Sequence, residues 1–186
     1  MEIRFNRVDR LSISVDGRYS STIVSTLPKI VDFSCVNRLS VQILVFDSVD
    51  DGSVISHLEF LFKQTTNLHF LKLIYPLKTS TLISFERISS IIPHSVKHLE
   101  ISVSKLEQAK QILGELQHIF SITFHSLNIS NYSGDLQKWI DSKRRNSIYR
   151  DGIQSLQIWL GPLIDGDLEK LSVRRVLQRF RAKATS

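Results

Sequence analysis

The sequence predicts an α/β solenoid: a horseshoe with a one-sided parallel sheet of about six strands and helices on its convex face. Three observations predict it. First, a phrase of the form Leu-x-aliphatic-x-x, opened by a basic or turn-like residue, keeps returning. It reads Arg10-Leu11-Ser12-Ile13-Ser14-Val15, Arg38-Leu39-Ser40-Val41-Gln42-Ile43, Phe70-Leu71-Lys72-Leu73, His98-Leu99-Glu100-Ile101-Ser102-Val103, Ser121-Ile122-Thr123-Phe124 and Ser155-Leu156-Gln157-Ile158-Trp159-Leu160. Each alternates apolar and polar residues, the period of a half-buried strand. Second, the anchors Leu11, Leu39, Leu71, Leu99, Ile122 and Leu156 stand 28, 32, 28, 23 and 34 residues apart, a period that marks stacked repeat units. Third, the intervals carry helical spacing, and alternating strand and helix demands a parallel sheet.

Taken in order, residues 22–33 carry Ile23, Val24, Leu27, Ile30 and Val31, with Pro28 breaking the segment or delaying its start. Residues 52–63 place Val54, Ile55, Leu58, Leu61 and Phe62 on one stripe. Residues 82–92 do so with Ile83, Phe85, Ile88, Ile91 and Ile92 and stop at Pro93. In residues 104–119, Ser104 and Glu107 have capping-box spacing, and Leu106, Ala109, Ile112, Leu113 and Leu116 form an apolar face. Residues 134–145 supply Leu136, Trp139 and Ile140, with basic residues where the helix dipole favours them. An amphipathic helix over 167–180 and a disordered tail over 181–186 close the chain. Residues 1–166 thus form the solenoid, and residues 167–186 a terminal helix and basic tail.

A doubly wound domain would bury its strands on both faces and give nearly continuous apolar runs. Leu44-Val45-Phe46 and Leu73-Ile74-Tyr75 fit that alternative, but Leu11 to Val15 and Leu99 to Val103 keep a polar face, which favours the one-sided sheet. A solenoid end needs a cap. Either Ile3, Phe5 and Val8 form an extra edge strand, or the chain is the C-terminal piece of something longer; the second is expected.

The Leu-x-aliphatic strands at a period near 28 resemble irregular leucine-rich repeats of the long, ribonuclease-inhibitor-like type. The run Pro93 to Ile101, with Trp139-Ile140-Asp141 and Tyr149-Arg150-Asp151-Gly152, is similar to the C-terminal repeat region of F-box and leucine-rich-repeat proteins. The resemblance covers residues 10–161 and implies an interaction module, the substrate-recognition part of an F-box-type ubiquitin-ligase receptor. The chain departs from the pattern in lacking the usual Asn or Cys after the strand, in uneven repeat length, and in having no F-box before Arg10.

At 186 residues the chain can bury a continuous core without metals or disulfides. No window approaches the run of about 18 apolar residues of a membrane helix, and the first residues do not read as a secretory signal. A single cysteine, Cys35, fits a reducing compartment, so an intracellular location, cytoplasmic or nuclear, is expected. The net charge of +6 comes from two clusters: Lys143, Arg144, Arg145 and Arg150, then Arg174, Arg175, Arg179, Arg181 and Lys183. Without those nine, 15 basic residues face 18 acidic ones, so the body is mildly acidic. This basic segment supports the alternative reading, binding to nucleic acid or an anionic surface, which would weaken steeply with salt.

No catalytic constellation emerges. Cys35, between Phe33 and a strand, reads as core. His94 and His98 are four apart, but Pro93 denies them a helical face for metal ligation. Asp47, Asp50 and Asp51, and Asp165 with Asp167, lack the spacing of a calcium loop. Neither a Gly-x-Ser-x-Gly elbow nor a glycine-rich phosphate loop occurs. The expectation is no enzyme, no cofactor, no metal, no membrane and no small-molecule substrate, with a protein as partner and nucleic acid disfavoured. That partner would meet the polar strand positions Ser12, Ser14, Ser40, Gln42, Lys72, Glu100, Ser102, Thr123, Gln157 and Trp159. Trp159 serves either as an anchor on this face or as a packing residue for the terminal helix.

Overall fold

A computed structural model describes residues 5, 7–15, 26–43, 51–75, 85–126, 128–142 and 147–160. Its elements run β1 (Arg10–Val15), β2 (Arg38–Ile43), α1 (Asp51–Gln64), β3 (Phe70–Ile74), α2 (Phe85–Ile91), β4 (His98–Ser102), α3 (Leu106–Glu115), β5 (Ser121–His125), α4 (Ser133–Ser142), β6 (Ser147–Asp151) and β7 (Ser155–Leu160). All seven strands join one open sheet in the order β1-β2-β3-β4-β5-β7-β6. The first five are parallel neighbours; β7 runs antiparallel to β5, and β6 antiparallel to β7.

The strands are in register from their first residues. Leu11, Leu39, Leu71, Leu99, Ile122 and Ile158 form one row across the sheet, and Ile13, Val41, Leu73, Ile101, Phe124 and Leu156 another. Apart from the partly buried Leu11 at the edge, both rows are buried, in one core with the helices. Intervening positions such as Ser40, Lys72, Glu100 and Thr123 are half-buried, because alternate side chains point to opposite faces.

A backbone device fixes this register. The carbonyl just before each strand accepts two N–H groups from the start of the next: Asp9 from Asn37 and Arg38, Asn37 from His69 and Phe70, His69 from Lys97 and His98, and Lys97 from Phe120 and Ser121, all between 2.8 and 3.1 Å. The Phe120 carbonyl instead accepts from Leu160 of β7, at 2.7 Å.

The helices follow from their apolar stripes. Val54, Ile55, Leu58, Leu61 and Phe62 of α1 are buried, and the Thr65 hydroxyl donates to the terminal carbonyls of Leu61 and Phe62, both at 3.2 Å. Helix α2 ends before Pro93, and consecutive helices pack on one another. At α3 the capping differs from the expected Ser104–Glu107 pair: the Gln108 amide oxygen accepts from the N–H groups of Ser104 at 2.8 Å and Lys105 at 3.1 Å. A side chain of the same length placed one residue later reaches two of the donors left open at the helix start at once. Among the described residues no helix is long and apolar enough to cross a membrane.

The expected horseshoe is corrected. A solenoid adds each strand parallel to the last, whereas the sheet here is mixed, open and seven-stranded. The phrase Ser155–Leu160, counted as a sixth repeat, runs antiparallel to β5. The reason is physical: Leu-x-aliphatic alternation encodes a strand with one buried face and says nothing about its direction. The seventh strand, β6, is half-buried or exposed along its length and carries little apolar pattern. Cys35, expected in the core, is exposed; the 3-10 turn Phe33–Cys35 buries Phe33 instead. Phe5 makes an isolated parallel bridge with Val31 rather than a described edge strand. The expected helix over 167–180 lies outside the described residues.

Replacing Leu71, fully buried mid-sheet, by Ala should lower unfolding free energy by about 2–5 kcal/mol in urea denaturation. Phe60→Ser, at a 40% exposed position on α1, should cost far less.

Candidate functional site

The face of the sheet opposite the buried rows carries the candidate site. Strand register lines up Arg38, Phe70, His98, Ser121 and Trp159 across β2, β3, β4, β5 and β7. At about 4.8 Å per strand, this row spans about 19 Å. A second row, Ser40, Lys72, Glu100, Thr123 and Gln157, lies two residues further along the parallel strands. Between the rows opens a cleft of about 260 Å³, lined by Arg38, Phe70, His98, Glu100, Ser121, Thr123, Gln157 and Trp159 among others.

The Arg38 guanidinium lies over the Phe70 ring, 4.2 Å from its centroid, an arrangement that attracts a cation to an aromatic face. No ion pair joins it to a carboxylate among the described residues. Glu100, the nearest acid along the cleft, is engaged elsewhere: Oε2 stands 2.8 Å from Lys72 Nζ and 3.2 Å from His125 Nε2. The hydrogen bond with His125, and then Lys72, hold its carboxyl down to about 2 against the opposing effect of burial. Beside Arg38, His98 Nδ1 lies 2.8 Å from Ser121 Oγ. Burial, then the positive charge of Arg38, then His69, lower the His98 pKa and favour the neutral ring.

Of the expected face residues, Glu100, Thr123, Gln157 and Trp159 line the cleft, and Lys72 and Ser40 adjoin them in the second row. Ser12, Ser14 and Gln42 are exposed but lie toward the β1 side, outside the cleft lining. Ser102 is corrected: it is 2% exposed, because Tyr75 folds over it. Its Oγ accepts from the Tyr75 N–H at 3.3 Å and its carbonyl from the Tyr75 hydroxyl. Trp159 takes the open-face position, half-buried on the cleft wall. Arg150 is exposed on β6 opposite Gln157; Lys143, Arg144, Arg145, Arg174, Arg175 and Arg179 lie outside the described residues.

Arg38, Phe70, His98 and Ser121 were missed by sequence reasoning. Each is the residue preceding its phrase's aliphatic anchor, and so shares strand parity with the polar position after it. That parity was the available signal. Among the described residues no group of three or more His, Cys, Asp or Glu side chains could hold a metal.

No family model and no curated protein matches the chain. Among solved structures it is similar to a protein of the NADB-Rossmann superfamily from Streptococcus agalactiae, at 13% identity and a TM-score of 0.33, over 89% of this chain and 65% of that one. It is also similar to an uncharacterized protein from Listeria monocytogenes serotype 4b, at 8% identity and a TM-score of 0.26, over 87% and 66%. The chain therefore spans just under two thirds of each. At such scores neither carries a function across. The resemblance to F-box and leucine-rich-repeat proteins is nevertheless corrected: such repeats would add every strand in parallel, and the last strand phrase here runs antiparallel in a mixed sheet. With it fall the ubiquitin-ligase receptor and the alternative paired with it, a basic C-terminal binder, whose residues are largely undescribed.

Glu100 has a depressed pKa, so its contribution to stability is present above its ordinary value of 4.5 and is lost as pH falls toward about 2. Glu100→Gln should therefore flatten the fall in stability across that window, read as the urea midpoint from pH 5 to pH 2.

Proposed function

We propose that the open face of the sheet binds a carboxylate-bearing ligand, with Arg38 as its anchor and Phe70 and Trp159 as its apolar walls. The observation that carries this reading is the Arg38 guanidinium, which pairs with no carboxylate among the described residues, at a formed cleft whose lining acid, Glu100, is already compensated by Lys72 beside it. The cleft thus has one positive charge in surplus. A guanidinium matches the planar fork of a carboxylate, and a volume of about 260 Å³ suits a group of a few heavy atoms.

The proposal is binding rather than chemistry. A carboxylate reaches such a cleft either on a small molecule or on an acidic side chain of a protein partner, and the partner expected from the sequence belongs to the second source. An intracellular setting, cytoplasmic or nuclear, is part of the same proposal and is compatible with a sequence that holds a single cysteine, Cys35.

The test is an amide chemical-shift titration with benzoate, succinate and an acetylated, amidated tetraglutamate peptide. Saturable shifts at Arg38, Phe70, His98 and Trp159 are expected, weakened about tenfold by Arg38→Gln, the loss of one charged hydrogen-bonding partner. Binding by the small acids assigns a free ligand, and binding by the peptide alone a protein partner. Absence of shifts, or an Arg38→Gln variant that binds as well, would sink the proposal.

A further inference from the structure

Arg38 is not the only donor the cleft can offer. The hydrogen bond between His98 Nδ1 and Ser121 Oγ has two states. When the ring is neutral and Nδ1 carries no proton, the Ser121 hydroxyl donates to it, and its hydrogen is engaged. When the ring is an imidazolium, both ring nitrogens are donors, so Nδ1–H donates to Ser121 Oγ and the bond reverses. The serine hydrogen is then released to turn into the cleft that Ser121, 7% exposed, lines three strands along the row from Arg38.

We propose that His98 and Ser121 form a proton-operated second anchor, through which the cleft takes up a proton together with its carboxylate ligand. The inference rests on the carboxylate-binding reading of the cleft and adds to it a coupling between ligand and pH. One proton on His98 supplies two things at once: a positive charge across Phe70 from Arg38, and a freed hydroxyl donor on Ser121. An empty cleft resists that proton, because Arg38 from β2 and His69 from the start of β3 repel it and partial burial penalises the charge. A bound carboxylate reverses the balance by neutralising Arg38 and facing the imidazolium directly. The other charged groups near the ring are Glu100, two residues along the same strand face, and Lys72 from β3, and these two pair with each other at 2.8 Å.

The sign follows. His98 has a lower pKa in the empty cleft than in the filled one, so affinity rises as pH falls through the filled-cleft value. It levels off below the empty-cleft value. Each unit between the two values is a tenfold change in the dissociation constant. Benzoate is a suitable probe, since ordinary carboxylates stay ionised above about pH 5.

The experiment is benzoate titration of the whole chain at pH 8.0 and pH 5.5, followed by amide shifts and by the His98 ring resonances. About tenfold tighter binding at pH 5.5 is expected, with the His98 titration moving upward on saturation. His98→Gln should lose the acidic gain, its own affinities at pH 8.0 and pH 5.5 agreeing within about twofold. Ser121→Ala should show a smaller gain between its own pH 8.0 and pH 5.5 affinities than wild type does, because the released hydroxyl donor is missing. His69→Gln and His125→Gln should keep a gain. Arg38-dependent binding with no pH dependence, or a gain that survives His98→Gln, overturns this inference and leaves the carboxylate-binding reading standing. Absence of binding at both pH values overturns both.

Discussion

The interaction on which the rest of the structure depends is a carbonyl oxygen that accepts two N–H groups at the foot of each parallel strand. Asp9, Asn37, His69 and Lys97 form a staircase of such carbonyls, each fixing where the next strand begins. Because side chains alternate with a period of two, a slip of one residue would send a strand's leucines to the wrong face. With the starting points pinned, the aliphatic anchors stack into two buried rows and the residues between them into open-face rows. Core and cleft are two sides of one register.

The staircase also explains where the parallel run ends. The Phe120 carbonyl takes its N–H from Leu160, on a strand running the other way. That reversal brings Trp159 beside Ser121 and Gln157 beside Thr123, and so builds the far wall of the cleft. In β7 the same alternation serves an antiparallel partner as well as it would a parallel one.

What could be read in the sequence was local: the strands β1 to β5 and β7, the apolar stripes of α1 to α4, and the polar parity of Lys72, Glu100, Thr123 and Gln157. These follow from periodicity, which a chain carries in itself. What escaped were relations between segments. The direction of β7 depends on how the chain returns after α4. The burial of Ser102 depends on Tyr75, 27 residues earlier. The pairing of His98 with Ser121 spans 23 residues and exists only once register is set. The exposure of Cys35 belongs to a short turn whose apolar contact is made by Phe33.

The connections between the parallel strands differ in length, with phrase anchors 23 to 32 residues apart from β1 to β5, while the strands themselves align residue for residue. All length variation is therefore absorbed in the segments that lead from one strand to the next, outside the paired strands. Such a scaffold separates two kinds of sequence change. Changes in connection length leave the paired rows in register, and substitutions at the residue before each anchor rewrite the open-face rows without touching the core. The binding surface can diverge by point changes at a handful of fixed positions, each with a defined neighbour on either side.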